Sequence, residues 1–94
     1  MAFVRHGTLT ANTVTTITLP ARRFYRVEIT NVDGASRIYA LVTENNPAMP
    51  TVGGDDCEVL PASMNSLELP LGGGSPVAVK LISSGTPAFS VRAE

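Results

Sequence analysis

Short apolar runs, broken at regular intervals by Gly, Pro, Asn and Ser, extend along this whole chain, and that punctuation leaves it little to build except β-strands. The runs recur at spacings of roughly 8–12 residues, the rhythm of an antiparallel all-β domain. The pattern predicts strands over Phe3 to Thr10, Thr13 to Leu19, Phe24 to Asn31 and Arg37 to Glu44. Further runs follow at Cys57 to Leu60, Ser66 to Leu69, Val77 to Ser83 and Ala88 to Arg92. No apolar period of 3.6 residues persists for a helical length, and helix start signals are missing.

Alternation sharpens this reading. Tyr25, Val27 and Ile29 fall on one face of their run, with Arg26, Glu28 and Thr30 on the other. In the next run Ile38, Ala40 and Val42 oppose Tyr39 and Leu41, so apolar groups occupy both faces. That marks a central strand, or one whose outer face meets a partner. Between these two runs, Asp33-Gly34 is a strong hairpin signal. Two prolines make Asn45 to Pro50 a loop, because proline cannot continue a ladder. Gly53-Gly54-Asp55-Asp56 reads as a second turn.

The expected fold class is therefore all-β, an antiparallel β-sandwich of seven to eight short strands. A jelly roll and an immunoglobulin-like Greek key both fit. Residues 1–94 form a single domain, with an N-terminal arm expected over residues 1–6.

Composition narrows the functional classes. The net charge of −1 provides no basic field for nucleic acid or for an anionic membrane surface. No apolar run approaches the roughly 18–20 residues that a membrane helix needs. The start of the chain lacks the apolar stretch of a signal peptide, so synthesis in a cytoplasm is the expectation. Only 16% of residues are charged against 44% hydrophobic, which leaves few charges to cover the exterior and favours a buried assembly contact.

Chemistry finds few supports. His6 is the single histidine and falls in the first strand; Cys57 is the single cysteine and cannot form an internal disulfide. Together they fall short of four zinc ligands and of a nucleophile–base–orienter set, so an enzyme is not expected. Asp55, Asp56 and Glu58 lack the alternating pattern of a calcium loop and read as a solvated turn. Gly72-Gly73-Gly74-Ser75 lacks both the following Lys-Ser/Thr and the helix of a phosphate cradle. No cofactor and no small-molecule substrate are expected.

One cluster stands out as a contact surface. Arg22, Arg23 and Arg26 interleave with Phe24 and Tyr25, and arginine with aromatics is the composition of protein interfaces. Tyr39 and Leu41 extend that candidate surface, as do the N-terminal arm and the loop containing Pro47 and Met49.

The stretch from Val52 to Val91 resembles small virion proteins encoded among the structural genes of tailed bacteriophages, especially those of actinobacteria. The residues that carry the resemblance are Gly53-Gly54-Asp55, Cys57-Glu58-Val59-Leu60-Pro61 and Val79 through Val91. The resemblance implies a β-sandwich virion protein, foremost a capsid decoration protein on the outer surface of the head. The alternative it leaves is a tail, fibre or head–tail connector component. Its implied partners are the major capsid protein, other virion proteins and further copies of itself. It implies no catalytic residue.

Overall fold

The computed structural model describes residues 3–20, 24–43, 50–54, 57–63, 65–70 and 78–94. They form eight strands: β1 (Phe3–Thr8), β2 (Thr15–Thr18), β3 (Arg26–Asn31), β4 (Ile38–Thr43), β5 (Glu58–Leu60), β6 (Asn65–Pro70), β7 (Ala78–Ile82) and β8 (Ala88–Ala93). No helix occurs among the described residues. A first sheet has the order β1-β8-β3-β6 and a second the order β2-β7-β4-β5. Every ladder is antiparallel.

The pairing is nested: β1 with β8, β2 with β7, β3 with β6 and β4 with β5. A long hairpin folded at its β4–β5 end and then rolled up gives this arrangement, and rolling brings β8 beside β3 and β7 beside β4. This is a jelly roll. An immunoglobulin-like sheet would pair several strands adjacent in sequence. Here, among the described strands, β4 and β5 are the only consecutive pair that shares a ladder.

Rolling also changes the use of Asp33-Gly34. Gly34 takes the left-handed conformation that the pair predicts, with φ of 67°. Yet β3 and β4 belong to different sheets, so the turn carries the chain across the sandwich and the expected hairpin is absent. A second correction concerns the N-terminus. From Phe3 onward the expected arm is β1 itself, in register with β8 from Phe3↔Ala93 to Thr8↔Ala88. The strand read over Phe3 to Thr10 is thus present and extends over the residues expected as an arm, with Arg5 and Gly7 on its inner-face parity.

The core lies between the sheets. Val27 and Ile29 of β3 and Phe89, Val91 and Ala93 of β8 face Ile38 and Ala40 of β4 and Val79 and Leu81 of β7. Leu9, Ile17, Leu19, Phe24 and Leu60 close its ends and sides. Each large side chain here contributes roughly 1.5–3 kcal/mol through burial. β7 is buried at all five positions, as a central strand should be.

Phe24 enters this core through a β-bulge. The N–H groups of Tyr25 and Arg26 both donate to the Glu94 carbonyl oxygen, at 2.5 and 3.1 Å, so two residues oppose one. The bulge shifts the side-chain parity by one. Phe24 turns inward at 1% exposure, and Tyr25, expected alongside Val27 and Ile29, turns outward at 67%. Phe24 is thus a core residue and no part of an exposed contact surface.

Polar side chains fasten the loops at one end of the roll. Asn31, fully buried, donates through Nδ2 to the carbonyls of Ser36 (2.8 Å) and Pro61 (3.1 Å) and accepts from the Gly34 N–H (3.1 Å). Ser83 donates to the Arg37 carbonyl at 2.6 Å and accepts from the Gly85 N–H at 3.2 Å. Asp33 accepts from the N–H groups of Ala35 and Ala88, and those two bonds hold its carboxyl below the usual carboxylate range. The β3–β4, β5–β6 and β7–β8 connections are thereby locked to one another, which stiffens the scaffold that presents the two outer faces.

Candidate functional site

The outer face of the first sheet is mainly hydrophilic, with Val4 exposed beside Arg92. In register across it run Arg92, Glu28 and Glu68, then Ser90, Thr30 and Ser66. The Thr30 and Ser66 hydroxyls lie 2.9 Å apart in a hydrogen bond. Arg26 Nη1 reaches Glu68 Oε2 at 3.2 Å and its Nη2 reaches Glu94 Oε2 at 2.7 Å, while Arg92 Nε donates to Glu94 Oε1. The hydrogen bond that Arg26 donates to the Glu94 carboxylate, reinforced by its charge, raises the Arg26 pKa further. This arginine is already matched by carboxylates of its own chain.

The outer face of the second sheet is different. Tyr39 of β4 has Ile82 of β7 on one side and Val59 of β5 on the other, an apolar row that crosses three strands. Leu41 follows on the same face of β4, beside Lys80 of β7. Tyr39 and Leu41 are half-buried, and Val59 is 45% exposed. Their outward direction agrees with the parity read from the sequence, which places Ile38 and Ala40 in the core.

The structure therefore separates residues that the sequence grouped together. Arg26 lies on the first sheet's outer face, Tyr39 and Leu41 on the second sheet's, and Phe24 between the sheets. Arg22, Arg23, Pro47 and Met49 lie outside the described residues. Cys57, expected as the first residue of a strand, is half-buried and immediately precedes β5. Among the described residues no group of three His, Cys, Asp or Glu side chains could hold a metal ion.

A third feature has no counterpart in the sequence reading. Where β1 and β2 lie side by side at one edge of the sandwich, a groove of about 470 Å³ opens between the sheets. Arg5, His6, Gly7 and Thr8 line one wall and Thr15, Thr16, Ile17 and Thr18 the other, with Phe89 behind. Gly7 lets the Phe89 ring behind the groove lie close against β1. It lies in register with Phe89, and a Cβ there would come within 2.9 Å of the Phe89 ring. Glycine within a strand marks such a close approach, and this was the available signal.

No family model matches the chain, and no curated protein matches it in sequence. Solved structures do match in fold. A de novo designed double-stranded β-helix aligns with a TM-score of 0.56 at 17% identity, over 98% of this chain and 99% of that one. The Yersinia pseudotuberculosis-derived mitogen aligns with a TM-score of 0.57 at 13% identity, over 99% of this chain and 84% of that one. The coat protein of Tobacco streak virus aligns at 0.46 and 14% identity, over 100% of this chain and 85% of that one. The first two similarities agree with the rolled double-sheet fold and carry no function with them.

Proposed function

We propose that the protein is a virion structural subunit, a decoration protein that sits on the outer surface of a tailed-phage head and steadies contacts between capsomers. The observation that carries this reading is the unlike character of the two outer faces. One is dominated by ion pairs and hydroxyls, with Val4 and Tyr25 exposed among them; the other presents Val59, 45% exposed, with half-buried Tyr39 and Leu41 beside the buried Ile82. An apolar strip on one side of a stiff block suits adhesion to another protein surface. The resemblance of Val52 to Val91 to phage virion proteins supports the same reading. On a shell, many identical weak contacts act together, so a modest strip is sufficient.

The test uses particles stripped of the protein and then re-decorated. Tyr39→Asp and Val59→Asp variants that keep the wild-type circular dichroism are expected to lose at least roughly tenfold in bound copies, as for a central contact residue. Wild-type occupancy by both variants would remove the second sheet's face from the proposal. Copy number then fixes the position: on the order of hundreds per particle supports the shell, whereas about a dozen assigns the neck or tail instead.

A further inference from the structure

We propose that the open edge of β1, with the groove beside it, is a docking site for an extended peptide segment that carries an acidic side chain. The surface is separate from the second sheet's outer face. Backbone geometry supplies the first part of the argument. The Leu9 N–H donates to the Pro87 carbonyl at 3.0 Å, one step beyond the Thr8↔Ala88 pair. On the other side of β8, the Ala88 carbonyl accepts from the Val32 N–H. These two bonds set the phase of the antiparallel ladder. Phe3, Arg5 and Gly7 turn their backbone groups to β8, and Val4, His6 and Thr8 turn theirs to an edge that no described strand pairs. Three N–H and three C=O groups thus stand in a row, the template that an added strand uses.

The other edge strands suit this less well. β5 has three residues and β2 four, and β6 ends in Pro70. β1 has six residues and no proline.

Charge selects the occupant. Arg5 shares the inner-face parity of Phe3 and Gly7, so it stands at the mouth of the groove, with its guanidinium carbon 5.3 Å from the centre of the Phe3 ring. It makes no ion pair among the described residues, and no carboxylate is among the described groove-lining residues. An added strand places a side chain directly beside Arg5, and an acidic one completes a charge-assisted contact. A second copy fits poorly, because antiparallel pairing of two β1 edges brings like charges together.

The probe is a short capped peptide of alternating Thr and Val with Glu at its centre, compared with Gln- and Lys-centred versions by NMR titration. The Glu peptide is expected to move the amide signals of Val4, His6 and Thr8 and to bind up to about fivefold tighter than the Gln peptide, with the Lys peptide weakest. Arg5→Glu should invert that order. N-methylation of alternate peptide amides should abolish binding to the wild type. His6→Pro, which removes an edge-facing N–H and leaves the β8 bonds in place, should abolish it with melting unchanged. Shifts confined to other surfaces, no binding, an unchanged order in Arg5→Glu, or concentration-dependent dimerisation through β1 would each overturn the proposal.

Discussion

Arg26 and Glu94 are joined through both backbone and side chain. They exchange N–H···O=C bonds of 3.1 and 3.0 Å, and the Arg26 guanidinium reaches the Glu94 carboxylate at 2.7 Å. The same carbonyl of Glu94 creates the bulge that sends Phe24 into the core, so one residue sets both a parity and a surface ion pair.

This pairing predicts a pH dependence. The Glu94 carboxyl is held below the usual carboxylate range by its hydrogen bond from Arg26 and then by that from Arg92; Asp33 is lowered by the N–H groups of Ala35 and Ala88. A carboxylate lowered in the folded state adds stability above its unfolded pKa and loses it as pH falls through the folded value. Urea midpoints should therefore decline as pH drops below the ordinary carboxylate range. A Glu94→Gln, Asp33→Asn double variant should show a flatter profile. Parallel profiles for the two proteins would contradict the assignment.

The bulge predicts opposite fates for neighbouring aromatics. Phe24→Ala should cost about 3–5 kcal/mol, the range for emptying a packed aromatic site. Tyr25→Ala should stay within about 0.5 kcal/mol, as for an exposed position. Chemical denaturation of the two variants decides it, since uninterrupted alternation from Phe24 to Asn31 would reverse the order.

Asn31 predicts a large polar penalty inside the sandwich. Asn31→Ala leaves the Ser36 and Pro61 carbonyls and the Gly34 N–H without their partner and should cost about 2–4 kcal/mol. Asn31→Asp should be at least as damaging at neutral pH, because a buried anion would face two carbonyl oxygens. Urea melts of both variants measure this, and a loss below about 0.5 kcal/mol in either would show that the loops hold without the residue.

Much of the β-structure was legible in advance because its signals are local. Pro20 and the turn at Ala11-Asn12 bound β2, and Asn12 adopts a φ of 55° in that turn. Alternation over Val27 to Ile29 and over Ile38 to Leu41 gave the correct inward faces. The candidate surface was legible only in fragments. Tyr39 and Leu41 were found from their parity, but Val59 and Ile82 join them through ladders between strands distant in sequence. The groove left a single trace, Gly7, and a glycine does not announce which ring will lie against it.

What the sequence determined by itself is the all-β class and the positions of its strands, since side-chain period and turn chemistry act over a few residues. Tertiary structure decided how those strands pair. Whether Asp33-Gly34 closes a hairpin or crosses between sheets depends on burial summed over the rolled chain. Which side of the bulge faces inward depends on a carbonyl 68 residues away from Arg26, at Glu94. Local preference is blind to both, because the free energy that selects them exists only once the two sheets have closed on each other.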